Sequence, residues 1–551
     1  MLRNWWKEGI VYQIYPRSYK DTTGNGLGDL YGIIDKLDYI KSLGVDMIWI
    51  CPIYESPNDD NGYDISDYRK ISDDFGGNKA FDELLEAMHS RGLRLIMDLV
   101  VNHSSDEHYW FKEAKKSRDN PYHDYYIWKE GTPENLPNNW ESIFSGSAWK
   151  WNIETKEYYL HLFTEKQPDL NWENPKVRQE VYSIVEYWLS KGVDGFRMDV
   201  ITAISKRLEF EDTPPKMPQV EVIEKFYANG PRVHEFLKEM NKEVLSKYDI
   251  VTVGEGPGIR LDNALSYVSK SAKELDMVFH FEHLFIDFGP EGKFDPIPVE
   301  FLRFKKIFSQ WDELLANKGW NSIFLGNHDF SRIVSRFGND QKHRIEAAKL
   351  LVTLLMTLRG TPYVYQGDEI GMTNVSHPSI DYYDDVETRN AWNAAEQQGK
   401  DMDVFLKAVH KQSRDNARTP MQWDSKNNAG FTEGKPWIPA NKNSSKINVA
   451  SQEKDSNSIL NYYRKIIAFR KSNLTLVYGQ YKDLEPNHKQ LFVYKRWDDN
   501  HSFLIIHNFS DIDVEWDKTN FNRYKLCCSN YIYNKDQKKL RPWESRVYIS
   551  I

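Results

Sequence analysis

Cysteine is scarce in this sequence, with three residues in 551, two of them adjacent at Cys527 and Cys528. An odd number containing a neighbouring pair does not suit a disulfide framework, so we expect a reduced, cytoplasmic setting. Long apolar segments are also missing: the longest, near 350–358, falls well short of the ~20 residues that span a bilayer. The N-terminus lacks the apolar core of a signal peptide. We therefore expect a soluble protein without a membrane partner.

Charge of one sign is not concentrated anywhere along the chain. The net charge of −9 is spread without long runs, which argues against a nucleic-acid partner. Residues 24–28 (GNGLG) lack the third glycine of a dinucleotide-binding loop, and Asp29 would repel a phosphate, so we expect no organic cofactor. The chain is instead rich in aromatic residues, at 14%, which suits both core packing and flat-faced ligands.

Short apolar segments alternate with segments of helical periodicity through most of the chain. Eight strands are predicted, at 9–15, 45–51, 93–101, 193–200, 250–254, 275–281, 322–325 and 362–365. Helices are predicted at 30–43, 80–91, 177–189, 233–245, 301–315, 344–358 and 458–470. This α/β pattern predicts a closed (β/α)8 TIM barrel, with its active site at the C-terminal ends of the strands.

Three stretches interrupt the alternation. Residues 104–172 are too long for an ordinary loop and predict a subdomain inserted after the third strand. Residues 374–441 are polar and are predicted to be loop-like. Short alternating strands from 477 predict a C-terminal antiparallel β-sandwich. The predicted domains are the barrel at 1–103 and 173–476, the inserted subdomain B at 104–172 and the C-terminal domain at 477–551.

Two charged residues, Arg197 and Asp199, lie on one face of the otherwise apolar fourth strand. Unpaired buried charges cost several kcal/mol, so Arg197 is expected to keep Asp199 ionised for contact with a substrate. A structural ion pair is the alternative. Polar residues also follow other strands, at Asp60, Tyr63, Asn102, His103, Glu255, His328 and Asp329. Several carboxylates converging on one pocket, without an activated serine or cysteine, favour glycoside chemistry.

Four stretches resemble sequence regions of the α-amylase superfamily, glycoside hydrolase family 13. They are residues 98–103 (DLVVNH), 195–200 (GFRMDV), 253–255 (VGE) and 327–329 (NHD). Residues 167–171 (QPDLN) are similar to the marker of its oligo-1,6-glucosidase branch. Residues 360–371 and 414–423 fit that branch too, and the resemblance extends over essentially the whole chain.

The resemblance implies three catalytic residues: Asp199 as the nucleophile, Glu255 as the general acid/base and Asp329 as the carboxylate that stabilises the transition state. The terminal glucose would be bound by Asp60, Tyr63, His103, Arg197, His328 and Arg414. Phe144, Phe163 and Gln167 of the inserted subdomain would wall the pocket. We expect Glu255 to lie beyond the reach of Arg197 and so to keep its proton.

Val200, directly after the nucleophile, bears on linkage preference. In enzymes similar to this one a valine there accompanies α-1,6 cleavage and a threonine α-1,4 cleavage, a bias of about 1–3 kcal/mol. Val200 as a simple barrel residue is the alternative. The expected function is a retaining, exo-acting α-glucosidase that cleaves α-1,6 linkages in short isomalto-oligosaccharides. The alternatives are an α-1,4-glucosidase, a sucrose-acting glucosidase or isomerase, a transglycosylase and, from another class, a non-catalytic binding or partner subunit.

The loop at 21–29 is similar to the calcium loop of the same branch. The implied ligands come from Asp21, Thr23, Asn25, Leu27 and Asp29. Thr23 and Asn25 stand where acids or amides are expected, so a structural Ca2+ and a metal-free turn are both open. The expected partner is a small oligosaccharide, and the expected assembly is a monomer.

Overall fold

A computed structural model of the chain describes residues 4–532 and 537–551. Its centre is a sheet of eight parallel strands, β1 to β8 in chain order, whose residues are almost all buried. Runs of apolar residues form these strands because helices and loops cover both faces of a parallel sheet. The strands are Val11–Ile14 (β1), Met47–Ile50 (β2), Arg94–Leu99 (β3), Gly195–Met198 (β4), Val251–Glu255 (β5), Met277–Phe279 (β6), Ser322–Ile323 (β7) and Thr361–Tyr365 (β8).

The barrel is nearly closed. Its hydrogen-bonded order runs β6-β5-β4-β3-β2-β1-β8-β7, so the backbone ladder ends at β6 on one side and at β7 on the other. A side chain bridges this seam, because Ser322 Oγ on β7 donates to the carbonyl of Val278 on β6 at 2.6 Å. The predicted TIM-barrel fold is confirmed.

Helices surround the barrel. They are Leu30–Asp35 (α1), Leu37–Ser42 (α2), Gly77–Ser90 (α3), Pro175–Ser190 (α4), Val233–Glu243 (α5), Ala264–Val268 (α6), Phe301–Leu315 (α7) and Arg344–Thr357 (α8). The helix predicted at 30–43 is two helices, because the backbone at Lys36 (φ −105°, ψ 3°) leaves the helical region. The start of α4 is fixed by Asn174, whose side chain accepts from Lys176 N, and by Pro175 in the first turn.

Helices are also present between β8 and the C-terminal domain. They are Val386–Gln397, Met402–Gln412, Asp415–Arg418, Val449–Glu453 and Ile459–Ser472. The prediction that 374–441 is loop-like is therefore wrong. Its first two helices are capped by Asp385 and Asp401, which accept backbone N–H groups of the first turn. The first of them buries only Thr388 and Ala395, so its sequence lacks the broad apolar stripe that reveals a helix.

The segment between β3 and α4 contains a three-stranded antiparallel sheet and one helix. The strands are Trp128–Glu130, Trp149–Asn152 and Glu157–Leu160, and the helix is Tyr109–Ala114. Backbone contacts fasten it to the end of β3, since Leu170 N donates to Asn102 O at 2.9 Å and His103 bridges to Asp169. The segment therefore lies over the C-terminal end of the barrel.

The C-terminal region is an antiparallel sheet of five strands with a two-stranded pair beside it. The five strands in spatial order are Gln480–Asp483, Leu491–Trp497, Ser502–Asn508, Ser545–Ser550 and Tyr524–Ser529, and the pair is Val514–Glu515 with Lys539–Leu540. Residues of the sheet and of the pair share one apolar cluster. Buried Arg496 ties this region to the barrel, because it donates to the carbonyl of Thr357 at the end of α8. Beside it, Arg470 of the preceding helix Ile459–Ser472 donates to the carbonyls of Met356 and Leu358.

Within the part of the chain that the structure describes, every helix is too short or too polar to cross a lipid bilayer.

Candidate active site

Arg197 is the centre of the site. It is only 1% exposed, and its terminal nitrogens contact three carboxylates. Nη1 lies 2.7 Å from Asp98 Oδ1 and 2.6 Å from Asp199 Oδ1, and Nη2 lies 2.5 Å from Glu255 Oε1. The expectation that Glu255 lies beyond Arg197 is therefore wrong. The cause is the register of the sheet, in which Val253 on β5 pairs with Arg197 on β4, so that Glu255 lies beside Asp199.

Three carboxylates around one cation favour retention of a proton within the cluster. Burial raises the pKa of Asp199 and of Glu255; Arg197 opposes this in both cases, while Glu255 adds to the rise at Asp199. Burial also raises the pKa of Asp98, to about 6. Asp98 has the most donors, because Trp49 Nε1 (3.1 Å) and the Tyr63 hydroxyl (3.2 Å) also point at it. Asp98 is thus the best placed of the three to carry charge, and the raised pKa of Asp199 and of Glu255 favours a proton on one of these two groups.

Asp329 has the opposite electrostatic environment. Its carboxylate lies 2.9 Å from Arg418 Nη2, 3.3 Å from Arg414 Nη1 and 3.1 Å from His328 Nε2. Burial acts to raise the pKa of Asp329, but the charges of Arg414 and Arg418 oppose it and hold the pKa below its usual value. Asp329 is therefore ionised at neutral pH, and it is ready to accept hydrogen bonds.

Arg414 connects Asp329 to the opposite wall of the pocket. Its Nη2 lies 3.3 Å from Asp60 Oδ1 and 2.6 Å from Asp385 Oδ1. Burial raises the pKa of Asp60 to about 7 although Arg414 and Arg418 oppose the rise. The predicted glucose-binding residues Asp60 and Arg414 thus lie in one buried network with Asp329.

Tyr63 and His328 form the floor of the pocket. Their rings stack at 5.5 Å with an angle of 5° between the planes, and the Tyr63 hydroxyl lies 2.6 Å from His328 Nε2. Gln13 Nε2 lies 2.9 Å from the other ring nitrogen of His328. Burial lowers the pKa of His328 to about 3, so its imidazole is neutral at neutral pH.

The inserted segment supplies the upper wall. Gln167 Nε2 lies 3.3 Å from Asp60 Oδ2 and 3.2 Å from His103 Nε2, and the ring of Phe163 is 5.0 Å from that of His103. Burial lowers the pKa of His103 to about 4. These contacts bring the predicted residues of the inserted segment directly above those at the ends of β2 and β3.

Phe144 closes the wall between the inserted segment and the helices that follow β8. Its ring is 5.6 Å from that of Phe163 and 4.7 Å from the Arg414 guanidinium. Its carbonyl accepts a hydrogen bond from Asn390 Nδ2 at 2.8 Å. One side of the pocket is therefore sealed by contact between two separate parts of the chain.

The comparisons with known proteins agree with this geometry. A family model described as the alpha-amylase catalytic domain matches residues 13–479. The chain belongs to the alpha-amylase family. An oligo-1,6-glucosidase of Parageobacillus thermoglucosidasius is 53% identical, over all of this chain and 99% of that protein. A second, from Bacillus cereus, is 50% identical over the full length of both.

Among solved structures, an isomaltulose synthase variant of Erwinia rhapontici in complex with sucrose superposes with a TM-score of 0.96 at 43% identity, covering all of this chain and 99% of that one. A trehalose-6-phosphate hydrolase variant of Bacillus licheniformis has a TM-score of 0.94 at 46% identity, covering 99% of this chain and all of that one. This member of the alpha-amylase family is thus similar to enzymes named for different activities: oligo-1,6-glucosidases, an isomaltulose synthase and a trehalose-6-phosphate hydrolase.

Several residues that complete the site were not among the predicted ones. Asp98 is part of the DLVVNH motif, and Arg418 lies one helical turn after Arg414, so both had a signal in the sequence. Asp385 had none, because the surrounding polar stretch predicted a loop. Lys206 is buried, with its Nζ 2.7 Å from Asp169 Oδ2 in the inserted segment. A buried lysine at that position is recognisable only once the segment is folded.

The loop at 21–29 is held together by its own donors. Asp21 accepts hydrogen bonds from the backbone N–H groups of Thr23, Gly24 and Gly26 at 2.8 Å each. Asp29 accepts from Thr22 N and Gly32 N. In the described residues, no three acidic, histidine or cysteine side chains converge as metal ligands would. A calcium ion in this loop would need oxygens of Thr23, Asn25 and Leu27 beside these two carboxylates, which also accept hydrogen bonds from the protein.

Proposed function

We propose that this protein is a retaining, exo-acting α-glucosidase that hydrolyses α-1,6 linkages at the non-reducing ends of short isomalto-oligosaccharides. The observation that carries the proposal is the contact of Asp199 and Glu255 with the two terminal nitrogens of one guanidinium. Retaining enzymes hold their two carboxyl groups ~5–5.5 Å apart and inverting enzymes ~6.5–9.5 Å apart. Two groups that share one guanidinium suit the shorter spacing.

The chemistry follows from the placement of the two acids. Asp199 attacks the anomeric carbon while Glu255 donates its proton to the glycosidic oxygen, so that the bond to the leaving sugar breaks as the glucosyl ester of Asp199 forms. Glu255, now ionised, takes a proton from water, which attacks the ester and releases glucose with its configuration retained. A proton on one of these two groups supports this division of labour, since one acid must be ionised and the other protonated.

Asp329 and Arg414 support binding of the terminal glucose. An ionised Asp329 accepts hydrogen bonds from sugar hydroxyls, which strengthen as positive charge develops on the ring. The seal between Phe144 and Asn390 favours a pocket that admits only a chain end, and therefore exo action. The preference for α-1,6 linkages is supported by Val200 and by the oligo-1,6-glucosidase relatives.

Isomerisation of sucrose is a second candidate, favoured by the structural similarity to isomaltulose synthases. Both reactions begin with a glucosyl ester at Asp199. They differ in the acceptor, which is water in one and the released fructose in the other. The two candidates are therefore separated by their products.

A substrate panel tests the proposal. Purified protein is incubated with isomaltose, maltose and sucrose, and products are separated by chromatography. We expect glucose from isomaltose at the highest kcat/KM. Asp199→Asn should abolish all turnover, while Asp35→Asn, a matched change at an exposed residue of α1, should not. Faster turnover of maltose than of isomaltose would contradict the linkage preference. Formation of sugars other than glucose and fructose from sucrose would favour the isomerase. An active Asp199→Asn variant would overturn the mechanism.

The cellular setting belongs to the same proposal. All three cysteines are unpaired, which supports a reducing cytoplasm. We also propose a monomer, to be checked by light scattering. Because the carboxylates of the 21–29 loop already accept hydrogen bonds, we expect Ca2+ to raise the melting temperature only at millimolar concentration. A rise at micromolar Ca2+ after treatment with EDTA would contradict this expectation.

A further inference from the structure

The chain makes an unusual turn directly after the nucleophile. Val200 has φ 33° and ψ 42°, in the left-handed region that branched residues seldom adopt. The backbone on both sides is fixed, since Asp199 N donates to Leu99 O at 3.0 Å and Ala203 N donates to Val200 O at 2.8 Å. Such a conformation costs about 1–3 kcal/mol and persists only where the surroundings impose it.

Two hydrogen bonds join this turn to the end of β5. Val200 N donates to Glu255 Oε2 at 3.0 Å, and Thr202 Oγ1 donates to the carbonyl of Pro257 at 2.7 Å. Ile201, which lies between Val200 and Thr202, packs against Gly254. The packing is close, because a side chain at position 254 would place its Cβ 2.9 Å from Ile201 Cγ2. We call these contacts the β4–β5 clasp. The clasp holds the chain on both sides of Glu255.

We propose that Thr202 is a positioning residue for the proton donor: its hydroxyl fixes the loop after β5, so that Glu255 stays within reach of both the Val200 N–H and Arg197. Thr202 is completely buried, so it acts through Glu255 and not on the sugar. This inference rests on the proposed function, because it assigns the donor role to Glu255.

In the first step, which kcat/KM reports, the clasp matters most when the leaving group needs a proton; the second step, in which Glu255 takes a proton from water, is common to all substrates. A sugar alkoxide is a poor leaving group and depends on the donor, whereas 4-nitrophenolate departs with little help. A donor that is out of place therefore slows isomaltose hydrolysis more than hydrolysis of 4-nitrophenyl α-glucoside. General acid catalysis contributes about 10²–10⁴-fold, and a displacement of about 1 Å removes much of such an effect.

The pH profile supplies a second readout. Burial raises the pKa of Glu255, and the bond from Val200 N opposes the rise by stabilising the ionised carboxylate. Loosening the clasp weakens that bond. The alkaline limb of kcat/KM, where the donor loses its proton, should then move to higher pH. A purely structural role of Thr202 would not move this limb.

The test compares Thr202→Val, which removes the hydroxyl at similar volume, with Thr202→Ser, which keeps it. We expect Thr202→Val to lower kcat/KM for isomaltose about 10-fold or more and kcat/KM for the aryl glucoside less than about 2-fold. Thr202→Ser should stay near wild type. Thr252→Val is the matched control, since Thr252 is a buried threonine on β5, the strand that carries Glu255, and its hydroxyl donates to Asp276 at 3.1 Å. It should lower the melting temperature without separating the substrates.

Equal losses on both substrates, or no loss on either, would overturn the inference. If Thr202→Val does not fold, Thr202→Cys, whose thiol is a weaker donor, should show the same order of effects at smaller amplitude. A wild-type protein that hydrolyses neither substrate would instead overturn the proposed function. The two failures are thus distinguishable.

Discussion

Replacement of Asp98 by asparagine tests the electrostatics of the site without touching a proposed catalytic residue. Asp98 and Asp199 share Arg197 Nη1 at 2.7 and 2.6 Å, so the bonded oxygens are at most about 5 Å apart. At an effective dielectric constant of about 20, a unit charge at that distance contributes about 3 kcal/mol, or about two pH units. Removing the charge of Asp98 makes Asp199 and Glu255 easier to ionise. The acid limb, set by Asp199, should therefore move to lower pH by up to about two units, and the alkaline limb, set by Glu255, should move in the same direction.

The assay is kcat/KM for isomaltose between pH 4 and pH 9. Asparagine keeps the shape of the side chain and an oxygen for the donors Trp49 and Tyr63, so the fold should be retained. Asp276→Asn is the control, because Asp276 bonds Thr252 near the start of β5, away from Arg197. Limbs that stay in place in a folded Asp98→Asn variant would refute the idea that three carboxylates share one cation.

Two further predictions concern linkage and acid stability. Val200→Thr should change the ratio of kcat/KM for maltose over isomaltose about 10-fold in favour of maltose, and an unchanged ratio would show that Val200 is only a barrel residue. His280 stacks on Trp311 at 4.0 Å, and burial lowers its pKa to about 3. The unfolded chain protonates His280 near pH 6.5, whereas the folded protein keeps it neutral. The free energy of unfolding therefore falls by about 1.4 kcal/mol for each pH unit below about 6.5. In urea denaturation at pH 7 and pH 5, His280→Phe should lose less stability than wild type, and an equal loss would contradict this.

The barrel could be predicted because buried parallel strands appear in the sequence as apolar runs at regular intervals. The exceptions have physical causes. The helix after Asp385 buries too few apolar residues to show a periodic stripe, so a polar stretch was predicted to be a loop. The break at Lys36 depends on one backbone conformation that no residue type signals.

The site was predictable in part for a related reason. Residues at the ends of neighbouring strands meet, so Arg197, Asp199, Glu255 and Asp329 could be assigned to one pocket. The contact of Arg197 with Glu255 could not be predicted from the sequence, because it depends on which strands pair and in which register. The role inferred for Thr202 was invisible for the same reason, since its partner lies on the next strand.

The two buried arginines have a consequence for how the chain can be divided. Arg470 and Arg496 meet main-chain carbonyls where α8 ends, so their attachment does not depend on the ionisation of any acid. Arg496 comes from the C-terminal sheet and caps a helix of the barrel. A fragment cut before residue 480 would keep Arg470 but lose Arg496, and with it the side-chain donor to the carbonyls of Thr357 and Leu476. The C-terminal sheet is thus an integral part of the catalytic unit and not a detachable module.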